Sequence, residues 1–320
     1  MVLRESIVGR VALLSAGVGV VVCLLAVVVG SGCSSSTNEV AAPAEAGSDA
    51  AAPVDGGEED ATDGASAPDA ADAAPADHIG AIFAISDTTA ADGGAKSSYR
   101  AGASFTHVTV PDGATQTKTI GPCVLETIGE GTAAQETDVS AGAVHLTGGA
   151  VAIDLAPKGD NTYAPSVGAS SLYAGGETLV ATADGKDVPA FTTSLTAPSK
   201  VTLAAPLVTS GALTVKRSNG VTATFSSAGT GATAGAVVLY FSATSTTMAF
   251  ALTCTFDGAA GSGTIPAAAF ADFPAGPGTF DFYVKQTSRV VVAPWDIRFT
   301  ASKAVVDPAG IALAGDATFE

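Results

Sequence analysis

Beyond Ile79 the apolar residues recur mostly at every second position between turn-forming clusters, which is the period of half-buried strands. In TTMAFALTCTF, Met248, Phe250, Leu252, Cys254 and Phe256 share one face, while Thr247, Ala249, Ala251, Thr253 and Thr255 share the other. LTVKRSNGVTATF brackets Asn219 and Gly220 between two alternating segments, predicting a hairpin with a two-residue turn. Asp112-Gly113, Asp184-Gly185 and Asp257-Gly258 punctuate further apolar segments as turns. One short helical signal interrupts this pattern: Thr264 is placed to cap IPAAAFADF, with Pro266 in its first turn. The expectation is an all-β, antiparallel β-sandwich. A change near Ala197 and Pro198 suggests two β units, 79–196 and 197–320. The second has the size and strand spacing of an immunoglobulin-like sandwich, without that family's cysteine signature.

The first third of the chain has a different pattern. Arg4 and Arg10 precede an apolar run from Val11 to Val29, and Gly30, Ser31 and Gly32 lead into Cys33. A positive start, an apolar stretch and small residues at the end make a secretory signal, expected over residues 1–32. The run is also long enough to cross a bilayer as a helix, so an uncleaved inner-membrane signal anchor is the alternative. From Ser34 to His78 there are 11 acids, no Lys or Arg, no aromatic residue, and four prolines, Pro43, Pro53, Pro68 and Pro75. Nothing there can bury a core, so residues 33–78 read as a disordered tether. Its end-to-end distance would be roughly 35 to 40 Å.

Placing that acidity changes how the net charge of −17 reads. From Ile79 onward, 19 acids face 12 bases, so the folded part carries only about −7. Nucleic acid is disfavoured as a partner. Cys123 and Cys254 are the two cysteines of the folded part, and an even pair in an exported chain is expected to form a disulfide, with two buried thiols as the alternative.

Candidate chemistry is sparse. The sequence holds no His-Glu-x-x-His pair, no Cys-x-x-Cys, no Gly-x-Ser-x-Gly elbow and no phosphate-cradling loop, so no cofactor or catalytic residue is expected. His107 and His145 lie in strand-like segments, and with Asp154 they form the one metal or catalytic grouping worth weighing; His145 is expected to face solvent. Glu58, Glu59, Asp60 and Asp63 lack the oxygen ladder of a calcium loop, and turn chemistry explains Asp160 and Asn161 before calcium does. Trp295 shares a face with Ile297 and Phe299 and is expected in the core, whereas Tyr240 and Tyr283 are expected at the surface.

Cys33, after small residues and before Ser34, Ser35 and Ser36, resembles the lipobox of bacterial lipoproteins; Gly30 stands where that family most often has Leu. The resemblance implies that Cys33 receives the lipid and anchors the chain, and Ser34 implies sorting to the outer membrane or cell surface. GGETLVATADGKDVPAF and CTFDGAAGSGTIPAAAF look like blocks of uncharacterised secreted bacterial lipoproteins. The function expected is a noncatalytic binding or structural β-module with a protein or glycan partner. The alternative is a secreted hydrolase using carboxylate chemistry.

Overall fold

The computed structural model describes residues 78–91, 94–109, 115–129, 135–208 and 211–320, which belong to one compact unit. The expected leader, Cys33, residues 34–77 with their acidic cluster, and the Asp112-Gly113 turn lie outside these residues; His78, expected to end the tether, instead begins the first strand. Among the described residues no helix is long and apolar enough to cross a membrane.

Nineteen strands are described: β1 (His78–Ala91), β2 (Gly94–Thr109), β3 (Thr115–Ile120), β4 (Cys123–Ile128), β5 (Gln135–Asp138), β6 (Val144–Thr147), β7 (Ile153–Leu155), β8 (Ser166–Gly168), β9 (Thr178–Ala183) and β10 (Phe191–Thr196). They continue as β11 (Val201–Ala205), β12 (Ala212–Val215), β13 (Val221–Ser227), β14 (Ala236–Thr244), β15 (Ala249–Asp257), β16 (Ser262–Ile265), β17 (Gly276–Val292), β18 (Trp295–Ala304) and β19 (Ala314–Phe319). Twelve of them make one long sheet with the path β3-β4-β15-β14-β17-β18-β1-β2-β5, to which β19, β12 and β8 attach. A four-stranded sheet, β10-β9-β6-β7, and a three-stranded sheet, β11-β13-β16, complete the architecture. The protein is all-β and mostly antiparallel; β1 with β18 and β12 with β19 are parallel pairs.

Two cores result, because the long sheet is covered by a different small sheet at each end. In the first core, Ile82, Phe105, Trp295, Ile297 and Phe299 of the long sheet meet Val144, Leu146, Leu179 and Phe191 of the four-stranded sheet. In the second, Leu239, Phe241, Leu252, Phe282 and Phe319 meet Leu203, Val221, Phe225 and Ile265 of the three-stranded sheet. Each core draws residues from both sides of the expected boundary at 196–197: Cys123 and Leu125 belong to the second, and Trp295, Ile297, Phe299 and Ala301 to the first. The long strand β17 joins them, pairing β19 through Gly276–Asp281 and β18 through Tyr283–Val292.

Period-two patterning is realised where it was clearest. In β15, Phe250, Leu252 and Cys254 are buried; Met248 instead falls in the preceding turn and is exposed. Trp295, Ile297 and Phe299 pack in the core as expected. Small residues do a second job in these sheets. The Phe83 ring lies so close over Gly102, its direct partner on β2, that a Cβ there would come within 2.5 Å of it; Tyr99 covers Gly168 of β8 in the same way. Such aromatic cover of a cross-strand glycine compensates for its missing side chain.

Three local expectations are corrected. Gly220 does adopt a positive φ, 68°, in a tight turn, yet the flanking strands do not form a hairpin: β12 pairs β19, whereas β13 joins β11 and β16 in another sheet. A Cβ on Gly220 would strike the Ile265 carbonyl, so this glycine also permits the turn to sit against β16. Thr264 is a β16 residue paired with Thr222, and the helical segment is a single 3-10 turn, Ala267–Phe270, entered from Pro266. Tyr240 is buried, because β14 is covered on both faces from Val237 to Phe241.

Candidate functional site

The histidines separate into two places. His145 of β6 lies directly across from Asp154 of β7, and its Nδ1 is 2.6 Å from Asp154 Oδ1; its Nε2 is 3.4 Å from Asp184 Oδ1. The hydrogen bond to Asp154 outweighs the opposing effect of burial and, with the charges of Asp154 and Asp184, raises the His145 pKa above its usual value. An acid at each ring nitrogen favours the protonated imidazole in this open surface cluster. His107 does not join it. Its direct partner on β1 is His78, and the rings lie 4.6 Å apart, with His78 edge-on to Trp295 at 5.0 Å. His107 therefore lies in a different sheet from His145 and Asp154, and the three do not form one site. Among the described residues no three His, Cys, Asp or Glu side chains converge as a metal site. Asp160 is used as the turn reading expects, accepting from the backbone and hydroxyl of Thr162.

A second polar group lies at the ends of β1 and β18, where no motif marked it. Asp87 accepts the Ala304 backbone N–H at 2.7 Å, and Lys303 donates to the Ala174 carbonyl at 2.9 Å while sitting over the Tyr173 ring. The Tyr173 hydroxyl reaches the Ser302 carbonyl at 2.5 Å, and Ser86 Oγ accepts from the backbone N–H of Leu172. Glu177 takes the N–H groups of Ala174 and Gly175 at 2.7 Å each. Burial raises Asp87 and depresses Lys303, and burial together with Asp87 pushes the Tyr173 phenol well above its usual value. On β17, burial and then the charge of Asp87 push Asp281 up to about 7. Shifts of this kind also mark catalytic sites. Here most of the polar partners are backbone groups of the 171–177 segment and of β18. Their effect is to clamp that segment to the sheet, since a buried polar group is tolerated when it is bonded.

The third place is an open groove of about 220 Å³ on the other face of β1 and β2. Its origin is topological. Along one edge of β2, β8 pairs Tyr99–Ala101 and β5 pairs Thr106–Thr109, leaving Gly102–Phe105 with no strand beside it among the described residues. The segment carrying Asn161 passes this gap, and Asn161 Nδ2 donates to the Asp138 carbonyl at 3.2 Å. The groove is lined by Phe83, Arg100, Gly102, Ser104, Asp138 and Asn161 among others. Arg100 flanks the Phe83 ring, its guanidinium carbon 6.0 Å from the ring centre, and its buried Nε has no hydrogen-bond partner. Elsewhere Arg289 and Arg298 share Asp296, and Lys118 meets Asp272. Sequence reasoning missed this site. Phe83 and Arg100 belong to alternating strands like any others, and only the break in pairing opens space above them.

Cys123 and Cys254 form a disulfide across directly paired positions of β4 and β15, both fully buried.

No family model matches the chain, and no curated protein matches it. Among solved structures, a yeast delta-COP-I mu-homology domain complexed with a Dsl1 WxWxV peptide aligns at 9% identity, covering 71% of this chain and 95% of that one. The TM-score is 0.18, too low to carry any argument about fold or function.

Proposed function

We propose that this chain is an exported, membrane-anchored envelope lipoprotein whose β-body is a noncatalytic ligand-capturing module. The observation that carries the capture reading is the groove over β1 and β2, where an aromatic ring, a cation without a carboxylate partner and hydrogen-bonding side chains converge. That combination, an apolar surface with few placed polar groups, suits a small ligand. Export rests on the leader and is supported by the Cys123–Cys254 disulfide, a bond that persists in oxidising compartments. Anchoring rests on Cys33 and its small-residue approach. The acidic tether then holds the body away from the membrane, and the largest share of the net charge belongs to the spacer.

Capture is tested with the full-length chain in detergent, incubated with solubilised envelope material from its host and compared with Phe83→Ala. The wild type is expected to retain a saturable ligand that the variant loses while keeping its thermal midpoint. Equal retention by both removes the groove from the reading, and turnover of a released ligand would replace capture with catalysis. Anchoring is tested separately. Metabolic labelling with a fatty-acid analogue is expected to mark the wild type and to leave Cys33→Ala unlabelled; equal labelling sinks the lipidation of Cys33.

A further inference from the structure

We infer that the groove over β1 and β2 is a subsite for an acidic sugar, a pyranose ring carrying a carboxylate; this rests on the capture reading and names its ligand. Four observations carry it. First, the volume of about 220 Å³ is below the roughly 300 Å³ at which drug-sized pockets begin, so the groove takes one ring and leaves the rest of a chain outside. Second, the missing side chain at Gly102 lets the Phe83 ring lie close against β2 in the groove, which offers an aromatic surface there to the apolar side of a sugar ring.

Third, Arg100 stands beside that ring with no carboxylate partner among the described residues, in a folded part where acids outnumber bases 19 to 12. A guanidinium presents a fork of donors that matches a carboxylate two bonds at a time. Fourth, Asp138 and Asn161 border the same space. A carboxylate can only accept hydrogen bonds, so Asp138 calls for a ligand with hydroxyl donors and repels a compact dianion such as phosphate. Hydroxyls and a single carboxylate on one small ring satisfy Asp138, Asn161 and Arg100 together. A peptide strand is a poorer fit. The unpaired run of β2 is only Gly102–Phe105, and the Phe105 carbonyl already accepts the Val139 N–H.

The test titrates the full-length chain in detergent with three probes: an oligogalacturonate, the same oligosaccharide methyl-esterified, and inorganic phosphate. Saturable binding of the free acid is expected. Esterification, Arg100→Gln and Phe83→Ala should each weaken it about tenfold or more, and Lys118→Gln, outside the groove, should leave it unchanged. Thermal midpoints equal to wild type establish that the variants are folded. Equal binding of acid and ester with dependence on Phe83 overturns the acidic-sugar assignment while leaving the capture module standing. Phosphate that competes for the site with similar strength overturns it in favour of a general anion site. Binding of neither oligosaccharide overturns it as well, and the envelope-retention comparison then decides the capture reading by itself.

Discussion

Removing the disulfide with Cys123→Ala and Cys254→Ala together is expected to lower stability by about 4 to 5 kcal/mol. The two cysteines are 131 residues apart, and in the chain-entropy model a bond closing so long a loop removes that much freedom from the unfolded chain. For a body of this size, such a loss moves the thermal midpoint down by roughly 8 to 20 °C. The folded state adds a reason to expect the upper part of that range. Cys123 begins β4, which together with β3 forms the end of the long sheet, and Cys254 lies opposite it in β15 within the second core. Without the bond, this hairpin is held to the sheet by its ladder with β15 and by Leu125, and two buried sulfur atoms leave space behind. Scanning calorimetry of the wild type with and without reductant, beside the double variant, measures this. Midpoints within a degree of each other would refute it.

Asp281→Asn is expected to stabilise the protein above neutral pH, by up to about 4 kcal/mol. Burial, with the charge of Asp87 behind it, moves the Asp281 carboxyl from an ordinary 3.8 to about 7. The folded chain therefore keeps a proton that the unfolded chain releases across that interval. Stability contributed by Asp281 is complete below the unfolded value and is lost as pH rises from about 4 through 7, because the native state then binds more protons than the unfolded one. The upper limit follows from that interval, each pH unit of which is worth about 1.36 kcal/mol. Asn has nearly the same shape and no proton to lose. The two proteins should have similar urea midpoints near pH 4 and diverge toward pH 8, with the variant ahead. Asp87 and Glu126, both raised by burial, stay in the variant and keep a residual slope of the same sign, so the difference between the two profiles is the diagnostic. Parallel profiles would show that Asp281 ionises normally in the fold.

How these sites arose separates what is local from what is not. The strand periodicity of β15, the core side of Trp295, the turns at Gly185 and Gly220, and the pairing of Cys123 with Cys254 were all legible in the chain, because each depends on near neighbours or on a count of two. The 219–220 turn shows the limit of such reading. Asn-Gly makes a turn by its own conformational preference, but which strand each arm then pairs is settled by which sheet buries it; the arms went to different sheets.

Tertiary structure alone decided the rest. Period two says that a strand has an apolar face, and says nothing of the partner that covers it, so the exchange of β4 and β18 between two cores was invisible in the sequence. The Asp87, Lys303 and Asp281 group brings Asp87 together with residues roughly 200 positions further along the chain, and its shifted acids come from burial that only packing creates. The groove exists because β5 and β8 stop short of each other along β2, a property of pairing and not of any residue type. The sequence by itself determined a β-rich body, since composition and period are enough for that. Where its polar groups meet was decided by strand order, because antiparallel pairing brings together residues that are distant along the chain.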